Sequence, residues 1–212
     1  REAGVYGYLA GNPGSVMMCR DWSLPNIIAD WPLNVFNNFS IYCLENLGAS
    51  RICLSPELTI SQVTEMRNRQ PLEIVVHGRL PLMILEHCLP GTCCNVKEGR
   101  TCSRPCRSRG FKLADRLNFH FPIETDMNCR NWIYNAKTLS MFEHLPSLTA
   151  SGIEYFRIEA VHESPEWIKT VSEAYLNGLE RADSDQWPEV YAYFLEQLNS
   201  ITPHGFTKGH YF

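Results

Sequence analysis

No apolar run in this 212-residue chain is long enough to cross a bilayer. The opening Arg1-Glu2-Ala3-Gly4 has no charged and then apolar leader, so no secretory signal is read and a cytoplasmic setting is expected. An initiating Met is also missing, which suggests a start inside a longer protein. There is no glycine-rich phosphate loop, no His-Glu-x-x-His helix and no nucleophile elbow. Serine-nucleophile hydrolysis therefore has no support in the sequence. Internal repeats and low-complexity linkers are absent, and the length fits one domain spanning 1–212. The net charge of −4 gives no global case for nucleic acid, while 44% hydrophobic residues suffice for a packed core.

Cysteine, in contrast, is abundant and clustered. Six of the nine fall between Cys88 and Cys129, namely Cys88, Cys93, Cys94, Cys102, Cys106 and Cys129. The odd total and the cytosolic α/β pattern argue against a disulfide framework. The set Cys88-x13-Cys102-x3-Cys106-x22-Cys129 supplies the four thiolates that a zinc ion or an iron–sulfur cluster needs. Paired Cys-x2-Cys zinc knuckles are missing, which suits a cluster better, although spacing alone does not separate the two. The alternative is that these are free structural cysteines; the polar, basic loop argues against it. Cys93 and Cys94 are spare candidates. Cys19, Cys43 and Cys53 stand in apolar contexts and read as core.

Between Lys97 and Arg116 seven Lys or Arg face two acids, Glu98 and Asp115. Arg104, Arg107 and Arg116 are candidates for holding an anionic substrate or RNA phosphates. The same cations would offset the negative charge of a cluster, or form a solvated face.

Short β-branched runs alternate with helical periods. Strands are expected at Val5–Ala10, Leu33–Asn37, Arg51–Ser55, Glu73–Gly78 and Tyr155–Glu159. Helices are expected through Ser40–Leu47, Thr59–Arg67, Leu139–Leu148, Ser164–Gly178 and Pro188–Leu198. Residues from about 85 to 130 form an insertion, with a hairpin at 111–116 and 118–123. Near-continuous apolar strands alternating with helices imply a parallel sheet covered on both faces. A (β/α) barrel is favoured, with an open doubly wound sheet as the alternative, since five strands do not close a barrel. In a barrel, residues at strand C-terminal ends build the site. Those ends carry Asn12, Asn37, Glu57, His77 with Arg79, and Arg157 with Glu159. His77 can move a proton, Arg79 can hold an anion, and Glu57 and Glu159 can serve as acid or base. The bland alternatives are barrel ion pairs for Arg157 and Glu159, and a backbone partner for His77.

These residues resemble peptidase family U32 from end to end. The resemblance is carried by Gly-Asn-Pro-Gly at 11–14, Leu-Asn-Val-Phe-Asn at 33–37, Leu-Ser-Pro-Glu-Leu at 54–58 and Glu-Ile-Val-Val-His-Gly-Arg-Leu-Pro-Leu-Met at 73–83. It continues through Glu-His-Cys at 86–88, Cys-Ser-Arg-Pro-Cys at 102–106, Leu-Ala-Asp-Arg at 113–116 and Asp-Met-Asn-Cys-Arg at 126–130. Phe-Arg-Ile-Glu at 156–159 and Thr-Lys-Gly-His-Tyr-Phe at 207–212 complete it. It implies a TIM-type barrel of which this chain is the last five β/α units, the first three strands lying upstream. Branches of that family resemble oxygen-independent hydroxylases with a four-iron four-sulfur cluster on four cysteines. They act on a quinone precursor or on a base in transfer or ribosomal RNA, some with prephenate. The family name itself implies proteolysis, and a metal-stapled surface for RNA or a partner is a third reading. Two positions that are often Cys in the family are Pro81 and Ser140 here. The resemblance carries the ligand role to Cys88 and Cys102, and Cys106 and Cys129 compensate for the two departures. The expected substrate is an RNA base or a small aromatic molecule.

Overall fold

A computed structural model describes residues 4–94, 102–161 and 163–212. Lys97, Glu98 and Arg100 of the basic loop lie outside these. The chain starts with strand β1 (Tyr8–Ala10) and helix α1 (Pro13–Asp21). Asn12 caps α1 by accepting from Ser15 N at 2.9 Å, and Pro13 occupies the first turn, where no donor is needed. Strand β2 (Ile27–Ala29), helix α2 (Asn38–Asn46), strand β3 (Ala49–Cys53), helix α3 (Ile60–Thr64) and strand β4 (Leu72–Gly78) follow. Then come β5 (Pro81–Leu85), α4 (Leu89–Cys93), β6 (Phe111–Ala114), β7 (His120–Thr125), β8 (Asn131–Tyr134) and β9 (Thr138–Ser140). The chain ends with α5 (Leu145–Thr149), β10 (Tyr155–Glu159), α6 (Pro165–Arg181), α7 (Trp187–Ser200) and β11 (Phe206–Thr207).

Strands β1, β2, β3, β4 and β10 run parallel, each beside its predecessor in this series. Strand β9 joins the end of β4 antiparallel, and β11 lies parallel to β9. The result is a mixed α/β fold with a parallel-rich sheet of seven strands. Among the described residues these strands do not close into a barrel. A separate antiparallel sheet, ordered β5-β8-β7-β6, is built wholly from the insertion and its flanks. It contains the expected hairpin, closed by Asp115, whose Oδ1 accepts from the backbone of Leu117 and Phe119.

The expected strand at Leu33–Asn37 does not form. Pro32 sits in a single 3-10 turn, Trp31–Leu33, and Asn34 takes a left-handed φ of 51°. Asn37 is the N-cap of α2, accepting from Ser40 N at 2.9 Å. The second parallel strand is Ile27–Ala29, too short to show an alternation. Likewise Gly11-Asn12-Pro13-Gly14 opens a helix as well as ending a strand. The helix expected from Leu139 begins later, because Thr138–Ser140 is drawn into pairing with the end of β4.

Strand β4 is buried along its whole length. Its pairing with β10 is broken by one extra residue: Arg157 lies opposite Val75, but Ile158 lies opposite His77. Such a bulge reverses which face the following side chains take. Glu73, before the bulge, shares a face with Arg157 and Glu159 by alternation, while His77, after it, turns toward α6. There its ring meets Trp167 and Tyr175 at centroid distances of 5.4 Å, and Phe206 at 6.0 Å. Gly78, at φ 129°, lets the strands pass so closely that a Cβ would stand 2.1 Å from the Glu159 carbonyl oxygen.

Burial holds His77 neutral, pushing its pKa from the ordinary 6.5 down to about 3. Between those values the unfolded chain binds a proton that the folded chain refuses, so acid weakens folding and neutral pH does not. Stability should fall by about 1.4 kcal/mol per pH unit from this group as pH drops below 6.5. Urea melts at neutral and at mildly acid pH should show His77→Phe losing that component; an unchanged slope would contradict the buried neutral imidazole.

Candidate functional site

The apolar core of the sheet is interrupted by an ionic cluster. Arg157 on β10 makes short hydrogen bonds to Glu73 on β4 and to Asp30 just after β2, and reaches Glu159 at 3.4 Å. Arg51 on β3 adds a second cation to Glu73 at 3.3 Å and stacks over Tyr155, 4.2 Å from the ring centre. The Trp31 indole N–H donates to Glu159 at 3.2 Å. Burial disfavours the Arg157 charge, but the Glu73 and Asp30 carboxylates around it more than offset this, so its pKa moves up. Burial also pushes the Cys53 thiol well up, which leaves it protonated and a poor nucleophile. Arg157 and Glu159 were expected at a site, and the structure brings them together. Asp30, Glu73, Arg51 and Trp31 went unmarked in the sequence, although an acid inside the apolar run of β4 is a readable signal.

Four cysteines line one cavity of about 440 Å³: Cys88, Cys102, Cys106 and Cys129. Arg104 and Arg107 line it too. Local structure explains the convergence. Cys88 caps α4, its sulfur accepting from Gly91 N at 3.4 Å. The Cys102 sulfur accepts from Arg104 N at 3.3 Å. Cys129 takes a left-handed φ of 64° in a loop organised by Asp126, whose carboxylate accepts from the Asn128 and Arg130 backbone and pairs with the Arg130 side chain at 2.8 Å. Asn131, fully buried, latches the two segments: its Oδ1 accepts from Leu89 N at 2.7 Å and its Nδ2 donates to the Cys129 carbonyl at 3.4 Å. Asn131 was not anticipated; its only trace in the sequence is its place beside Cys129.

The donor set suits a group bound by thiolates. Two of the four sulfurs accept backbone N–H groups, and the volume exceeds by far the roughly 30 Å³ share of one water. Among the described residues no three Cys, His, Asp or Glu side chains converge to the spacing of a single metal ion. Cys93 and Cys94 are exposed and do not line this cavity, Cys19 and Cys53 are core, and Cys43 is half-buried. Pro81 and Ser140 also lie elsewhere: Pro81 begins β5, and Ser140 pairs with His77.

Arg79, just past β4, borders a second cavity of about 440 Å³ with Lys112, His120, Glu124, Tyr134 and His204. Its Nε lies 3.6 Å from Glu163. Glu57 is exposed and borders a third cavity of about 280 Å³ with Trp31, Lys137 and His210. The expected residues thus divide among an ionic cluster and three cavities, with Trp31 common to the Glu159 contact and the Glu57 cavity. His77 is apart from all of them. Asn12 and Asn37 are engaged as helix caps, and Arg116 is exposed in the hairpin turn.

The model of peptidase family U32 matches residues 1–212. The chain belongs to peptidase family U32. It is 25% identical to an uncharacterized protease of Methanocaldococcus jannaschii, over the whole chain and 53% of that protein. It is 25% identical to tRNA hydroxylation protein P2 of Bacillus subtilis, over 95% of the chain and 67% of the relative. A collagenase of Porphyromonas gingivalis is 26% identical over 69% of the chain and 33% of its own length. The chain therefore spans about half to two thirds of the first two relatives. No solved structure matches it.

The ionic cluster carries a direct test. Arg157→Met leaves the buried Glu73 carboxylate short of its main counter-charge, and should cost about 3–5 kcal/mol in denaturant unfolding. A loss below about 1 kcal/mol, the range of an exposed pair, would show that Arg157 does not hold the sheet together.

Proposed function

We propose that this U32 chain belongs to an enzyme that hydroxylates a base of transfer RNA without oxygen, dependent on an iron–sulfur cluster. The observation that carries the proposal is the convergence of Cys88, Cys102, Cys106 and Cys129 on one cavity that Arg104 and Arg107 also line. The five parallel strands are read here as an arc of a TIM-type barrel, with Glu57 and Arg79 in the segments that follow β3 and β4.

A four-iron four-sulfur cluster, when bound, supplies redox chemistry that no protein side chain provides. The chain's own residues do the rest. The four thiolates hold the group, and the N–H groups of Gly91 and Arg104 steady two of them. Arg104 and Arg107 set a positive field that suits both a cluster and an RNA phosphate. Glu159, fixed by Trp31 and Arg157, is an oriented hydrogen-bond acceptor. Two relatives named for tRNA hydroxylation, from Bacillus subtilis and, at 22% identity over 98% of the chain and 55% of the relative, Escherichia coli, favour RNA over a quinone-type substrate. Zinc is the alternative occupant of the thiolates. A cytoplasmic location accords with an RNA substrate.

Peptide hydrolysis is the competing function, and the names of two relatives favour it. Its simplest nucleophile–base pair would be Cys88 with the adjacent His87. The His87 Nε2 atom instead meets the Thr92 hydroxyl at 2.8 Å.

The full-length protein isolated without oxygen should carry about four irons and four sulfides per chain. Alanine at any of the four cysteines should remove them. Transfer RNA from cells lacking the gene should contain a nucleoside one oxygen lighter, restored by the native protein and not by Cys88→Ala. Peptide cleavage that survives all four substitutions, with unchanged transfer RNA, would overturn the proposal.

A further inference from the structure

The Arg79 cleft and the cysteine cavity each share lining residues with another cavity. Between them lies a trough of about 260 Å³ bordered by Glu124, Thr125, Asp126, Trp132 and Tyr134. Glu124 and Tyr134 also border the cleft, and Thr125 and Asp126 also border the cysteine cavity. The antiparallel pairing of β7 and β8 explains the floor. Glu124 lies directly opposite Trp132, and Tyr134 follows two residues on, so all three project from one face of the sheet. The two rings are both half-buried and spaced by about 7 Å along the strand, two residues of extended chain.

Charge is arranged along this path. Arg79 and Lys112 stand at one end, and Arg104 and Arg107 at the other. Lys112 is held over His120, Nζ to Nδ1 at 3.1 Å, and keeps further N–H donors for a ligand. The acids lie in the middle. Asp126 is taken up by Arg130 and by the Trp132 indole. Glu124 repels phosphate, but it can accept a hydrogen bond from a base. Cations at both ends and aromatic rings with an acceptor between them match a single strand of nucleic acid, with its backbone held at the ends and its bases stacked in the middle. A duplex would keep its bases stacked on each other and leave the rings unused.

We propose that this face of the small sheet is a platform for single-stranded RNA, on which bases stack on Trp132 and Tyr134 beside the cysteine cavity. The proposal rests on the RNA substrate inferred above and adds where and in what form the RNA is held. It makes the antiparallel insertion a substrate-binding element as well as the carrier of the cysteines.

The test is binding of the full-length protein to a labelled single-stranded RNA oligonucleotide and to a duplex of the same sequence, across a salt series. The single strand should bind more tightly. Trp132→Leu and Tyr134→Leu should each weaken it roughly tenfold, while Trp132→Tyr and Tyr134→Phe keep most of the affinity. Arg79→Gln and Lys112→Gln should each reduce the slope of log affinity against log salt by about 0.7. Trp22→Ala, exposed just past the end of α1, should change nothing. Tight binding of single-stranded RNA that is indifferent to Trp132, Tyr134, Arg79 and Lys112 would overturn the platform and leave the RNA substrate standing. Failure of the native protein to bind any RNA would overturn both.

Discussion

The guanidinium of Arg157 is the interaction on which the rest of this structure depends. Strand β4 is buried throughout and paired with β3, β10 and β9, yet it carries a carboxylate, Glu73. A buried charge persists only when paired and hydrogen-bonded. Arg157 reaches across from β10 to satisfy Glu73 and takes Asp30 from the end of β2 with the same group. One side chain thereby ties together three parallel strands distant in sequence. Plain strand alternation keeps Glu73, Arg157 and Glu159 on one face, and the bulge in β4 turns His77 off that face into the apolar layer under α6. Trp31 carries the constraint outward, linking Glu159 to the wall of the Glu57 cavity.

Much of this was legible in the residues, and the failures have physical causes. The strands at Glu73–Gly78 and Tyr155–Glu159 were readable because β-branched runs bounded by polar residues have few alternatives. The strand at Leu33–Asn37 was misread because three of its five residues are apolar, and local chemistry outvoted them: Pro32 removed a donor and Asn37 had a capping role to fill. The true second strand, Ile27–Ala29, is too short to announce itself. His77 was placed at a site because it ends a strand, but a one-residue bulge decides which face it takes, and no periodicity encodes that. The cysteines were visible as a cluster of residue types. Cys88, Cys102, Cys106 and Cys129 were read as one set and do line one cavity; what went unread is Asn131, which latches the Cys88 segment to the Cys129 loop.

Two scaffolds are thus fused in the chain. The parallel-rich sheet supplies rigidity through its apolar core and the Arg157 cluster. The insertion supplies the chemistry-bearing residues on a smaller antiparallel sheet, with cysteines at one end and cations at both.

The central claim is that these four cysteines act together as the ligands of one iron–sulfur group. X-ray absorption at the iron and zinc edges, on full-length protein kept from oxygen, tests it most directly. The account predicts iron in an all-sulfur environment, with that signal lost when Cys129 is replaced by serine. Zinc in its place, or iron bound chiefly by oxygen and nitrogen and indifferent to Cys129, would contradict it.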